Sequence, residues 1–224
     1  MTGLPPFLTD LIDFAPQILA GLGNSLLLAG IVSVTGLAGG IAVFFLTLNG
    51  SAGCRRGIEA YISFFIGTPL LVHLFLMYYG LPRLGVTLSP LAVSVIGFTL
   101  NVAAYNARSL RTAYNGLDRG ELEAAAAQGF TPAEVFRLIV LPQAARLALP
   151  ALTNQVIQNL KDSSVAFLIQ YNDFFAQIQE VAAMNFQFFK IYLLAGVVYL
   201  ALVSVIVVAA RGLERRLRLP GFGA

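Results

Sequence analysis

The chain has 224 residues, of which 58% are hydrophobic and only 11% charged, with a mean hydropathy of +0.79 and a formal net charge of +3. A water-soluble domain carries about 25% charged residues, so most of this surface faces something other than water. Disordered, collagen-like and ordinary globular chains are excluded, and a polytopic membrane protein is expected. A single cysteine, Cys54, and a single histidine, His73, leave no intrachain disulfide framework and too few good ligands for a zinc or haem site.

Crossing a hydrocarbon core of about 30 Å takes roughly 20 helical residues, so uncharged runs mark the spans. The stretch from Met1 to Asp13 holds no Lys or Arg, which reads as no cleavable signal. The first run, 14–54, is long enough for a two-helix hairpin. Its turn signal, Asn49-Gly50-Ser51, lies at its end, however, so one long span over about 18–48 is expected. Within it, Asn24 could offer a polar contact to a passing solute or a hydrogen bond to a neighbouring helix. Gly36-x-x-x-Gly40 could form a dimer face, but close packing inside the bundle is the expected use. The second run gives a span over about 60–82, broken early by Gly67-Thr68-Pro69. Proline removes a backbone donor there, which leaves either a simple kink or carbonyls, with Thr68 beside them, facing a cavity. His73 has no acid within one helical turn and reads as a packing histidine. Tyr78 and Tyr79 suit the interfacial aromatic belt. A third span is expected over about 88–107.

The next 39 residues, Arg108 to Arg146, are charged but carry helix punctuation. Asp118-x-x-Glu121 reads as a capping box, Gly129 as a left-handed C-cap, and Thr131-Pro132-Ala133-Glu134 as a second capping box with proline at the first helical position. The second loop helix is expected to stop before Pro142. The fourth span, about 147–169, is the polar one. Asn154, Gln158 and Lys161 recur at i, i+4, i+7, and Gln155, Asn159 and Asp162 do so one step round, followed by Ser163 and Ser164. Charges at membrane depth usually line a pathway, so the stripe is a candidate solute path. A fifth span follows over about 191–210. The runs lack strand alternation, and backbone groups in lipid must pair internally, so the fold class is all-α: one transmembrane domain of five helices.

Eleven basic residues, from Arg55 and Arg56 through the 108–146 loop to Arg211–Arg218, fall on one side, against Arg83 and Lys190 on the other. That imbalance puts the loop and the C-terminus in the cytoplasm and the N-terminus outside. No phosphate-binding Gly-x-x-x-x-Gly-Lys pattern, nucleophile elbow or metal-ligand cluster is present, so catalysis by this chain is not expected.

Glu123-Ala124-Ala125, then Gly129, then Ile139-Val140-Leu141-Pro142 is similar at every spaced position to the EAA loop of ATP-binding-cassette (ABC) importer permeases. Gly67-Thr68-Pro69-Leu70-Leu71, Tyr79-Gly80-Leu81-Pro82, Ala148-Leu149-Pro150 and Leu160-Lys161-Asp162-Ser163-Ser164 extend the resemblance to the polar-amino-acid uptake subfamily. Ile66 and His73 stand where that family often has arginine and glutamine. The resemblance implies a five-span inner-membrane permease of the type I importer fold. It also implies a second permease subunit, identical or homologous, two cytoplasmic ATPase subunits and an external solute-binding protein. ATP and Mg would then sit on the ATPases, with no cofactor on this chain and no nucleic-acid partner. Glu123, Ala124, Ala125, Gly129, Ile139, Leu141 and Pro142 would couple to the ATPase. Asn24, Thr68, Gln155, Gln158, Lys161, Asp162 and Ser163 are the candidate pathway residues. Importers of cationic amino acids in this family tend to carry glutamate near Gln155, so an amide there points to a polar neutral or acidic amino acid. A self-sufficient channel or secondary transporter is the alternative from another class.

Overall fold

The structure is a computed structural model and describes residues 6–217; Met1–Pro5, and Arg218 of the basic tail with the residues after it, lie outside the described residues. The first uncharged run does not turn back on itself. It forms one helix, α1 (Pro6–Asn49), with Pro16 inside it, and at 44 residues it is about 66 Å long. Gly50 then closes the last turn, donating its N–H to the Leu46 carbonyl at 2.8 Å.

Ser51 starts α2 (Ala52–Gly67) by accepting from the Cys54 N–H. The helix ends where the residue before a proline is driven out of the α region: Thr68 is extended, with ψ 145°, and Pro69 begins the next segment. That segment is α3 (Leu70–Phe75), followed by a π-turn over Leu76–Gly80 and a 3-10 turn over Leu81–Leu84. The two halves of the broken span are bent by 104°. A kink of ordinary size does not describe Gly67-Thr68-Pro69; the chain changes direction there.

Ser89 caps α4 (Pro90–Tyr114), which has proline in its first turn. This helix packs along α1, and the two glycines of Gly36-x-x-x-Gly40 are the reason the backbones come so close. A Cβ on Gly36 would meet Val102 Cγ1 at 2.5 Å, and one on Gly40 would meet Asn106 Cβ at 2.6 Å. The glycine pair therefore serves packing within the chain, and Thr35 and Thr99 add a 2.6 Å hydroxyl contact across the same seam.

The loop helix α5 (Arg119–Ala127) is followed by α6 (Pro132–Val135). The spacing predicts that this second loop helix stops before Pro142, and it does not. It passes through a π-turn over Phe136–Val140 into α7 (Leu141–Asp162) and a 3-10 segment over Ser163–Ile169. A proline inside a regular helix clashes with the carbonyl four residues back. The wider π-turn, closed by Leu141 N–H to the Phe136 carbonyl, lies just before Pro142 and takes up that clash. A short helix, α8 (Phe174–Asn185), and the long α9 (Phe188–Leu217) complete the described chain. No uncharged run of spanning length marks α8. It sits against α1 at Gly21, where a Cβ would lie 2.7 Å from the Asp173 carbonyl oxygen.

Among the described residues, four helices are long and apolar enough to cross a membrane (Ile12–Asn49, Pro90–Tyr114, Pro132–Ile169 and Phe188–Gly212), and the bent pair makes a fifth if counted as one span. The buried core divides along the bundle. One cluster joins Ile18, Phe174, Ile178 and Ile191, the next Leu28, Val32, Leu74, Phe98 and Ile169, and the third Phe44, Leu110, Phe136 and Val140 at the loop end.

Candidate functional site: a cavity at the broken span and a docked loop

The break between α2 and α3 faces α7 across a cavity of about 690 Å³. From the break come Ile66, Gly67, Thr68 and Pro69; from α4, Asn101 and Tyr105; from α7, Gln155, Gln158 and Asp162. Four of the expected pathway residues thus meet: Thr68, Gln155, Gln158 and Asp162. Gln158 donates from Nε2 to Asp162 Oδ1 at 2.7 Å, so the carboxylate already has a neutral partner on its own helix. The wall is unfinished in the single chain, because Gln158, Tyr105 and Leu168 line the cavity yet remain exposed. A molecule bearing a cationic group and hydrogen-bonding groups could be held here by one acid, two amides and a hydroxyl.

The other three expected residues lie elsewhere, for a geometric reason. At about 100° per residue, Gln155 and Asp162 nearly eclipse and Gln158 is about 60° to one side of Gln155. Asn159 and Ser163 fall on the other side, towards α1. Asn159 is buried and donates to the Ala29 carbonyl at 3.0 Å and to Ser33 Oγ at 3.1 Å, and buried Ser163 donates back to the Leu160 carbonyl. Asn154 and Lys161 fall beyond the cavity edge and are exposed. The sequence stripe is therefore three narrower faces, and only one lines the cavity. Asn24 also stands apart: it donates to the Asn172 carbonyl at 2.7 Å and its own carbonyl accepts from the Tyr171 hydroxyl, tying α1 to the connection before α8.

Two polar lining residues, Asn101 and Tyr105, are not among the expected ones. Asn101 is visible in the sequence as one of two amides, with Asn106, in the mostly apolar third run, and it donates from Nδ2 to the Phe65 carbonyl at 2.9 Å. That carbonyl is among those left without a helical partner when α2 ends.

At the far end of α7 lies the loop. Asp118 caps α5 through the Gly120 N–H at 2.8 Å, but the reciprocal half of the expected capping box is not made; Glu121 accepts instead from Gln143 Nε2 at 2.6 Å. The Gly129 turn has the expected left-handed conformation, φ +86°. Gly129 N–H bonds to the Ala126 carbonyl and Phe130 N–H to Ala125, the double closure of a Schellman cap. The second capping box is complete: Thr131 N–H donates to Glu134 Oε2 at 2.8 Å, and Thr131 Oγ1 accepts from Glu134 N–H at 3.3 Å. Reciprocal bonding with Thr131 holds the Glu134 carboxyl below the usual range.

Within the EAA segment, Glu123, Ala124 and Gly129 are exposed, Ala125 is buried, and Ile139, Leu141 and Pro142 are half-buried. Phe136 anchors the loop on α1, with ring centroids 5.4 Å from Phe44 and 4.9 Å from Phe45. Between loop and bundle is a smaller cavity of about 270 Å³, bounded by Leu48, Tyr114, Leu122, Phe130 and Phe136 among others. Among the described residues, no three His, Cys, Asp or Glu side chains gather as metal ligands would.

Residues 36–219 match the model of the binding-protein-dependent transport system inner membrane component family. The probable amino-acid permease protein YxeN of Bacillus subtilis is 36% identical over 94% of this chain and 95% of its own length. The probable amino-acid ABC transporter permease protein PatM of Vibrio harveyi is 42% identical over 66% of this chain and 68% of its own. A crystal structure of an amino acid ABC transporter with histidines is 28% identical, with a TM-score of 0.85 over 96% of this chain and 100% of that one. The MetNI methionine ABC transporter in an inward-facing form, 20% identical with a TM-score of 0.74, shares the fold. With the family model matching most of the chain and the bent second span, docked loop and bundle all in place, this chain belongs to the binding-protein-dependent transport system inner membrane components, the permeases of ABC importers.

Proposed function

We propose that the chain is the permease of an ATP-driven amino-acid importer. The observation that carries this reading is the cavity that gathers Thr68 with Gln155, Gln158 and Asp162, the last three on the helix that begins in the EAA loop. Asp162 would take the α-ammonium in place of Gln158, and Gln155 would face the side chain of the cargo. An amide there carries no second negative charge for a guanidinium or lysyl ammonium, so the cargo is a polar neutral or acidic amino acid rather than a basic one. The names of the relatives YxeN and PatM support the amino-acid class.

The exposed Glu123, Ala124 and Gly129, with Ile139, Leu141 and Pro142 behind them, form the surface on which a cytoplasmic ATPase subunit docks. Two such subunits, holding ATP and Mg, act with a second permease, whose surface completes the open cavity wall, and with an external solute-binding protein. The excess of arginine puts the loop and C-terminus in the cytoplasm and the N-terminus outside. The test is ATP hydrolysis by the reconstituted complex with its solute-binding protein and a panel of amino acids. Stimulation by a polar neutral or acidic amino acid is expected. Uptake that proceeds without ATP or an ATPase subunit would point to a self-sufficient transporter instead.

A further inference from the structure

The break at Gly67-Thr68-Pro69 is held by a side-chain lock whose direction follows from counting protons. Thr68 Oγ1 touches two groups, the Phe64 carbonyl and His73 Nε2, the latter at 2.6 Å. A carbonyl oxygen only accepts, so the single hydroxyl proton goes to Phe64. Thr68 Oγ1 must then accept from His73, which fixes the imidazole as its Nε2–H tautomer. The ring is buried, 3% exposed, with centroids 5.1 Å from Phe64 and 4.7 Å from Phe65. His73 Nδ1 has no hydrogen-bond partner among the described residues, as the Nε2–H tautomer allows a bare lone pair to be.

The end of α2 is thereby satisfied from two directions. Phe64 O accepts from Thr68 N–H at 3.1 Å as well as from its hydroxyl, and Phe65 O accepts from Asn101. Backbone groups freed by a helix break in lipid need such partners. His73 does not line the cavity, so it acts only through Thr68, which does.

We propose that His73 is a positioning residue. By donating Nε2–H to Thr68 it fixes the turn that carries residues 66–69 into the cavity, and so sets the shape of the path. The functional weight of this rests on the cavity being the solute path; the lock itself does not.

Gly67 supplies the reporter. It lines the cavity, and a Cβ there would meet nothing within 4 Å. In the assembled importer, with Cys54→Ser and Gly67→Cys in this chain, the labelling rate of residue 67 by a small water-soluble thiol reagent is measured. His73→Gln, whose amide N–H can still reach Thr68, should stay within about twofold of the parent. His73→Met, of similar bulk but with no donor, and Thr68→Val should each change the rate at least about fivefold, and the double variant no more than Thr68→Val alone, because Thr68→Val already removes the His73 bond together with the one to Phe64. Equal rates for His73→Gln and His73→Met, or additive effects in the double variant, would overturn the lock. If His73→Met does not assemble, His73→Leu takes its place: a rate at least about fivefold from that of His73→Gln is expected, and matching rates for the two overturn the proposal. Protection of the reporter by transported amino acid tests the path separately. Its absence would count against the amino-acid reading, whereas the lock stands or falls on the labelling rates alone.

Discussion

Gln143 donates its side-chain Nε2 to the Glu121 carboxylate at 2.6 Å, which pins the exposed loop helix α5 to the first turn of α7, the helix that lines the cavity 12 residues further on at Gln155. In the proposed coupling, a push on Glu123 or Ala124 would reach the cavity through a short chain of contacts: α5, the Glu121–Gln143 bond, and one continuous helix. The π-turn beneath Pro142 keeps that helix unbroken where proline would otherwise end it.

Gln143→Leu should therefore leave membrane insertion and ATPase association intact and lower ATP-driven uptake per assembled complex roughly fivefold, a coupling loss of the usual allosteric size. Gly129→Val acts one step earlier. It forces a β-branched residue to φ +86° at a cost of about 1–2 kcal/mol and should weaken ATPase co-purification as well as uptake. Normal uptake by both variants would remove the loop from the coupling route.

The α1–α4 seam makes a prediction about two glycines on one helix. Gly40→Ala drives a methyl group to 2.6 Å from Asn106 Cβ, with the Ala103 carbonyl at 3.3 Å, whereas Gly30→Ala meets nothing within 4 Å. Overpacking of this kind costs about 1–3 kcal/mol, so Gly40→Ala should lower the melting temperature of the purified permease while Gly30→Ala leaves it level or raises it. A Gly40→Ala variant of unchanged melting temperature but altered oligomeric state would return this glycine pair to a dimer role.

Asp173 lies between spans, at the N-cap of α8, where Oδ1 accepts from Ala176 N–H at 2.8 Å. The side chain is completely buried, and burial pushes its pKa from 3.8 up to about 6. A carboxyl that holds its proton more tightly when folded stabilises the fold fully below pH 3.8, and that contribution fades as pH rises through about 6. Asp173→Asn keeps a capping side chain without the charge. Its stability should match the parent near pH 4 and exceed it above pH 6.5 by on the order of 2 kcal/mol, read as a higher melting temperature at the higher pH only. A difference that does not change with pH would show that the buried charge is not what costs stability here.

Much of this architecture is legible in the residues. Uncharged length marks the helices, the Gly129 and Thr131–Glu134 punctuation marks the loop, and the spacing of Glu123, Gly129 and Leu141-Pro142 marks the family. Illegible features depend on partners distant in sequence. The lock of His73 on Thr68 spans a helix break, so a search within one helical turn for an acid does not find it. Glu121 fits a local capping box, yet a partner 22 residues away takes it. The polar stripe of α7 is visible as composition, but which third of it faces the cavity depends on where α1 lies, and that is fixed by glycine packing in another helix. Pro142 misleads because a π-turn can absorb a proline that a regular α-turn cannot.

The most direct measurement is ATP-driven uptake into proteoliposomes holding the reconstituted complex, with parent, Asp162→Asn and Gln155→Glu permeases compared over neutral, acidic and basic amino acids. Truncating one side of a buried charged contact costs about 2–5 kcal/mol, so Asp162→Asn should reduce uptake of the preferred amino acid at least about thirtyfold, and Gln155→Glu should move the ranking towards basic substrates. Normal uptake with Asp162→Asn, together with an unchanged ranking for Gln155→Glu, would contradict the account and place the solute path away from this cavity.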